Sequence, residues 1–165
     1  MLLQGSCHCQ RVRFRVRCPH PYPFLLCYCS ICRKTEGGGG YGINLGGENA
    51  SLEVDGRENV SVYRPLIDDP RTGERREDPG ERHFCRHCGS ALWAWDPRWP
   101  DLVHPAASAI DTDLPVPPVR SHMMLVYKAS WVLVQAGPDD RRFDEYPDES
   151  LAEWHRRLGL EDRDA

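Results

Sequence analysis

The chain has 165 residues, 40% of them hydrophobic and 28% charged. This length suffices for one domain with a buried core and is short for two stable domains. This near-average globular composition excludes a disordered, collagen-like or coiled-coil protein. The formal net charge of −4, with arginines scattered among acidic residues, argues against nucleic-acid binding.

The hydrophobic residues are not arranged to enter a membrane. Every apolar stretch is far shorter than the roughly 20 residues that cross a bilayer. The opening residues, MLLQGSCHC, lack the basic start and long apolar run of a signal peptide. We therefore expect a cytoplasmic protein with no membrane contact.

Most predicted elements are strands. Residues 10–16 alternate arginine or glutamine with Val12, Phe14 and Val16, which is typical of a half-buried strand. Further strands are predicted in chain order at residues 41–45, 51–54, 60–63, 91–95, 103–110 and 122–126.

Loops and one helix complete the prediction of a single, mainly β domain over residues 1–165. Four consecutive glycines at residues 37–40 indicate a loop that follows one possible helical turn. Residues 68–81 are so rich in charged residues, proline and glycine that we expect a solvated, mobile excursion. Residues 148–158 predict a C-terminal helix, with Asp148 or Ser150 as the N-cap and Gly159 as the stop.

The spacing of the eight cysteines indicates metal binding, because disulfides rarely persist in a reducing compartment. Two residues between cysteines let a tight turn direct both sulfurs at one ion, and two remote pairs close a tetrahedral structural zinc site. The residues expected to form this structural site are Cys7, Cys9, Cys85 and Cys88.

The remaining clustered cysteines are Cys27, Cys29 and Cys32. Three protein ligands and one open position are typical of a catalytic zinc. Three thiolates give such a site a net charge of −1, which favours sulfur chemistry over activation of water. The neighbouring Arg33 and Lys34 could offset this charge and contact the carboxylates of a thiol substrate.

Three other interpretations of the cysteines compete with this one. All eight could be inert buried thiols, although their spacing argues against it. Cys18, His20 or His83 could complete the second site and make both zinc ions structural. A redox-active dithiol is also conceivable, but the strand-to-helix setting of thioredoxin-like motifs is missing.

The cysteine motifs also resemble those of a known family. The segments Gly5-Ser6-Cys7-His8-Cys9, Cys27-Tyr28-Cys29-Ser30-Ile31-Cys32-Arg33-Lys34 and Arg82-His83-Phe84-Cys85-Arg86-His87-Cys88-Gly89 occur in the order seen in the glutathione-dependent formaldehyde-activating enzyme family, which includes centromere-protein-V-like members. Lys128-Ala129-Ser130-Trp131 is similar to a late motif of that family, so the resemblance spans residues 5–131.

The resemblance implies several coiled antiparallel sheets held by zinc, related to methionine sulfoxide reductase B. It implies two Zn²⁺ ions per chain, one structural and one catalytic, divided between the cysteines as above. The implied activity is that of a carbon–sulfur lyase, which forms or cleaves S-hydroxymethylglutathione from glutathione and an aldehyde. The alternatives at this stage are a noncatalytic, zinc-stabilised protein-binding module and a metal or thiol sensor.

Overall fold

The strands predicted from the sequence recur, with adjusted ends, in the computed structural model, which describes residues 1–68 and 72–161. The strands are β1 (Leu2–Ser6), β2 (Arg13–Arg17), β3 (Leu25–Cys27), β4 (Gly42–Ile43), β5 (Gly47–Glu48), β6 (Glu53–Asp55), β7 (Val60–Tyr63), β8 (Leu66–Asp68), β9 (Arg75–Glu77), β10 (Glu81–Cys85), β11 (Ala91–Trp95), β12 (Leu102–Pro105), β13 (Ser121–Met123) and β14 (Arg141–Arg142). The α-helices are α1 (Ser30–Thr35) and α2 (Leu151–Leu158).

Two antiparallel sheets enclose the main core. One has the order β1-β2-β6 and the other has the order β5-β12-β11-β10-β7. The arginines of β2 are exposed while Phe14 and Val16 are buried, as their alternation predicts. Phe14 packs edge-on against Trp93 of β11, with 5.4 Å between the ring centroids. The contact joins the two sheets and gives the protein its mainly β core.

A third sheet, with the order β14-β13-β3-β4, is mixed. β3 pairs antiparallel with β4 but parallel with β13, and β13 is also parallel to β14. A parallel pair requires a long crossover connection, which here brings residues 121–123 alongside residues 25–27. The sheet matters for function because Cys27 is the last residue of β3.

The predicted C-terminal helix is confirmed, with its first helical residue at Leu151. Ser150 and Glu153 form a capping box at its start, and Gly159 ends it with a left-handed φ of 68°. Trp154 is fully buried and stacks on Phe24 with 3.8 Å between ring centroids. The helix α2 therefore packs against the segment that directly precedes β3.

Some predicted strands are shorter because their ends form 3₁₀ turns. These turns cover Asn49–Ser51, Ala107–Ala109 and Leu125–Tyr127, each next to a short strand. The charged excursion is more regular than its composition indicates. Although residues 69–71 lie outside the described residues, β8 and β9 pair as an exposed antiparallel hairpin. No helix in the described part of the chain is long and apolar enough to cross a membrane.

Candidate metal centres and their surroundings

Cys7, Cys9, Cys85 and Cys88 meet where two hairpins end, and we call them the closed cluster. Cys7 and Cys9 lie in the turn between β1 and β2, while Cys85 ends β10 and Cys88 lies in the turn before β11. Gly89 follows with a φ of 73°, a left-handed conformation that glycine adopts without strain. Its backbone N–H bonds to the Cys85 carbonyl, which folds the turn back on itself.

The geometry of the closed cluster suits zinc. Its four sulfur atoms all lie within 4.8 Å of one another. The Cys7 and Cys9 sulfurs are 3.5 Å apart, and the Cys9 and Cys85 sulfurs are 3.7 Å apart. A zinc ion with four bonds of about 2.3 Å requires sulfurs about 3.8 Å apart, whereas a disulfide requires about 2 Å. The cluster is therefore consistent with one enclosed tetrahedral ion.

Cys27, Cys29 and Cys32 also converge, and we call them the trio. Cys27 ends β3, Cys29 is the N-cap residue of α1, and Cys32 is buried in that helix. The backbone N–H of Cys32 donates to the Cys29 sulfur at 3.3 Å, so the turn itself brings these two residues together. The three sulfurs lie within 4.8 Å of one another, which again suits a metal ion.

The trio stabilises negative charge even before a metal is considered. Hydrogen bonds from the Cys27 and Cys32 thiols lower the pKa of Cys29. The hydrogen bond to Cys29 raises the pKa of Cys27 to about 12. Cys29 therefore loses its proton before Cys27, and metal binding would displace the protons that remain.

Among the described residues, no histidine, further cysteine or acidic side chain joins the trio as a fourth member within that 4.8 Å limit. The Cys18 thiol is buried and donates to the carbonyl of Gly46. The His20 ring packs against that of His155, and the His83 ring stacks on Trp93. The side chains considered as a fourth ligand thus have neighbours elsewhere.

Arg33 and Lys34 follow Cys32 in the last turn of α1. Successive helical residues are turned by about 100°, so these two side chains leave the helix in different directions from Cys32. Lys34 is exposed, whereas the Nε atom of Arg33 is buried and has no hydrogen-bond partner within the described structure. Contact of either residue with a substrate stays a prediction.

Three side chains that fix the trio could not be recognised in the sequence. The Tyr28 hydroxyl lies 2.9 Å from Nδ1 of His122, and Nε2 of His122 lies 3.5 Å from Oδ2 of Asp140. Burial lowers the pKa of His122, so the ring is neutral, donates to Asp140 and accepts from the tyrosine. This chain of contacts holds the residue between Cys27 and Cys29 against β13.

A buried carboxyl group and an amide lie on the other side of the trio. Burial raises the pKa of Glu36 to about 7, although a hydrogen bond from Asn44 and the charge of Arg82 act in the opposite direction. The Asn44 side-chain nitrogen is 3.2 Å from Oε2 of Glu36 and 3.8 Å from the Cys32 sulfur. Neither residue belongs to a cysteine motif, so the sequence analysis did not identify them. The structure brings them together because Glu36 directly follows α1 and Asn44 directly follows β4.

A cleft of about 480 Å³ lies beside the closed cluster and reaches the end of α1. Its lining includes Cys7, Thr35 and Glu36. Ser6, Ser90 and Ser108 contribute hydroxyl groups to the lining, and Ala91 and Ala109 contribute apolar surface. The cleft gives solvent and small molecules a path to the carboxyl group beside the trio.

The fold and the two cysteine groups together define a mainly β protein with one four-sulfur and one three-sulfur candidate metal site. Residues 2–126 match the family model described as glutathione-dependent formaldehyde-activating enzyme. A protein of Halomonas elongata named "Putative glutathione-dependent formaldehyde-activating enzyme" is 62% identical over 162 residues, covering 98% of this chain and 99% of its own. The chain therefore belongs to the glutathione-dependent formaldehyde-activating enzyme family.

A solved structure supports the fold alone. The crystal structure of a Rhodobacter sphaeroides protein matches with a TM-score of 0.50 and 23% sequence identity. The match covers 68% of this chain and 91% of that protein. Most of the described architecture is thus shared with an experimentally determined protein.

Proposed function

We propose that this protein is a zinc-dependent carbon–sulfur lyase that forms or cleaves the adduct of a small thiol, such as glutathione, with formaldehyde. In the forming direction the thiol sulfur bonds to the aldehyde carbon, and the thiol proton ends on the aldehyde oxygen. Cleavage reverses both changes. The observation that carries the proposal is the trio, whose three sulfurs converge with no fourth histidine, cysteine or acidic ligand beside them among the described residues.

The two cysteine groups have different roles in this proposal. The closed cluster would hold a structural Zn²⁺, and the trio would hold a second, catalytic Zn²⁺. Zinc at the trio would supply one chemical property, a lowered pKa for a thiol that joins it, so that the reactive thiolate exists at neutral pH. Both zinc ions, and a cytoplasmic location for the protein, are parts of the proposal.

The chain's own residues supply position and charge. Tyr28, held by His122, fixes the loop that carries Cys27 and Cys29. Arg33 and Lys34 add positive charge next to Cys32, where the carboxylates of a glutathione-like thiol would need a partner. The cleft beside Glu36 provides the approach for the small aldehyde.

A cobalt titration tests the proposal. In the Co²⁺-substituted protein, glutathione should change the visible absorption, because a fourth sulfur would join the trio. Cys29→Ser should abolish this change and also the formation of adduct from glutathione and formaldehyde, measured by NMR.

The matched control is Cys18→Ser, which alters a buried cysteine outside both groups and retains a donor for the Gly46 carbonyl. It should leave the glutathione response intact. A wild-type spectrum that glutathione does not alter would contradict the proposal and favour a noncatalytic, zinc-stabilised binding module.

A further inference from the structure

Asn44 contacts the trio without being one of its cysteines. Its side-chain nitrogen donates to the Cys32 sulfur at 3.8 Å and to Oε2 of Glu36 at 3.2 Å. An isolated antiparallel bridge to Ala106 fixes its backbone next to β4. The amide therefore lies in a defined place between a metal-ligand candidate and a buried carboxyl group.

These two contacts determine which way the amide of Asn44 is turned. A metal-bound cysteine sulfur accepts hydrogen bonds and cannot donate them, and the Glu36 carboxyl group, when ionised, also only accepts. With Glu36 ionised, the NH₂ group faces both, as in the structure, because the reverse orientation would place the carbonyl oxygen against two acceptors. The orientation of this amide thus follows from its neighbours.

The carbonyl oxygen of Asn44 consequently faces neither of these two groups. This Oδ1 atom is buried and has no hydrogen-bond partner among residues 1–68 and 72–161. The oxygen and nitrogen of an amide are about 2.3 Å apart, so Oδ1 lies within about 6 Å of the Cys32 sulfur. An unpaired buried acceptor costs free energy, and here it stands beside the candidate reactive site.

The proposed substrate carries the donor that this oxygen lacks. In an S-hydroxymethyl thiol the hydroxyl group is on the carbon attached to sulfur, so it must lie close to that sulfur. The free thiol has no such group. An acceptor beside the trio would therefore distinguish the adduct from the thiol that it releases.

Building on the proposed function, we propose that Asn44 is a positioning and specificity residue of this site. Its NH₂ group holds the Cys32 sulfur and the Glu36 carboxyl group in place. Its carbonyl oxygen accepts a hydrogen bond from the hydroxyl group of the thiol–aldehyde adduct.

The contact with sulfur is tested by the spectrum of the Co²⁺-substituted protein. Removing a hydrogen bond makes a thiolate more electron-rich, so Asn44→Leu and the smaller Asn44→Ala should move the sulfur-to-cobalt charge-transfer band to longer wavelength. Asn49→Ala, which removes an exposed amide bonded to the Pro100 carbonyl, should leave the band in place. An unmoved band in folded Asn44 variants would overturn the sulfur contact.

The hydroxyl contact is tested by comparing adduct cleavage with thiol binding. In the Asn44 variants, kcat/KM for S-hydroxymethylglutathione cleavage should fall about tenfold or more, as expected when one buried hydrogen bond is lost. The dissociation constant of glutathione, measured from the cobalt spectrum, should change much less. Equal losses in both quantities, or no loss in cleavage, would overturn the hydroxyl contact.

The two proposals fail in different ways. If the wild-type protein cleaves the adduct and the Asn44 variants cleave it equally well, only the role of Asn44 is wrong. If the wild-type protein has no cleavage activity, the proposed function and the hydroxyl contact are both wrong. The band position in the Asn44 variants still decides the contact with sulfur in that case.

Discussion

Gly42 shows how a missing side chain shapes the trio. A Cβ atom at this position would overlap the Glu36 carboxylate and lie 3.0 Å from the Cβ atom of Cys32. Glycine thus permits α1 to approach β4 closely enough for Asn44 to reach Cys32. The geometry of the sulfurs depends on this close approach as well as on the cysteine spacing.

We expect Gly42→Ala to weaken metal binding at the trio while the closed cluster keeps its ion. Overpacking of this kind typically costs about 1–3 kcal/mol, and relief by movement of α1 would displace Cys32. The measurement is the metal content per chain after dialysis against a weak chelator, which should drop from about two ions toward one.

Gly38→Ala is the matched control, because nothing lies within 4 Å of a Cβ atom at that position. It should retain the wild-type metal content. Retention of both ions by Gly42→Ala would show that α1 can move without disturbing Cys32.

Among the elements, α2 is held by a buried histidine as well as by Trp154. Nδ1 of His155 lies 2.7 Å from the Leu151 carbonyl, and Nε2 accepts from the Tyr22 N–H at 3.2 Å. Burial lowers the pKa of His155 to about 4. The ring is therefore neutral, since protonated Nε2 could no longer accept the Tyr22 hydrogen bond.

This histidine makes the stability of the protein depend on pH. Its folded-state pKa lies below the unfolded value of about 6.5, so the unfolded chain binds the proton more readily. The stabilisation is complete above pH 6.5 and is lost as the pH falls toward the folded pKa of about 4. We expect a loss of roughly 1 kcal/mol per pH unit within this window.

Urea unfolding at pH 7.5 and 5.5 measures the effect. His155→Gln keeps one donor and one acceptor but does not titrate, so its unfolding free energy should fall less between the two pH values than that of the wild type. Protonation of the cysteine groups affects both proteins alike. Equal pH dependence in the two would rule out His155 as the origin.

Local patterns predicted several strands and the C-terminal helix, but they did not predict which distant elements lie side by side. The spacing within each cysteine motif predicted which sulfurs share a turn, because a tight turn brings such neighbours together. The alternation of residues 10–16 likewise identified β2. The meeting of Cys9 with Cys85, by contrast, is a long-range contact. His122 also reaches Tyr28 only through the parallel pairing of β3 with β13, which no short-range pattern encodes.

Asn44 illustrates the same limit within the candidate site. Its role depends on a three-way contact with Cys32 and Glu36, made possible by the missing side chain of Gly42. The sequence placed it at the end of a predicted strand, where an asparagine is unremarkable. The sequence thus predicts the cysteine groups of the candidate site but not the side chains that surround them.

On the scale of the whole molecule, the closed cluster joins the first hairpin to the five-stranded sheet. Cys85→Ser should unfold the domain, because the proposed structural zinc would contribute on the order of 10 kcal/mol and net stabilities are of similar size. Cys29→Ser should leave the domain folded, since the trio lies outside the main core cluster.

Far-ultraviolet circular dichroism and thermal unfolding of the two variants provide the measurement. The expected result is a cooperative transition for Cys29→Ser and none for Cys85→Ser. A cooperative, wild-type-like transition in Cys85→Ser would show that the hydrophobic contacts between the sheets suffice without the closed cluster.

The mixed sheet also has a consequence for synthesis on the ribosome. All four sulfurs of the closed cluster have been translated once residue 88 is added, whereas the strand bearing Cys27 acquires its parallel neighbour only with residues 121–123. Because the chain is synthesised from its N-terminus, the closed cluster can assemble before the mixed sheet that carries the trio is complete.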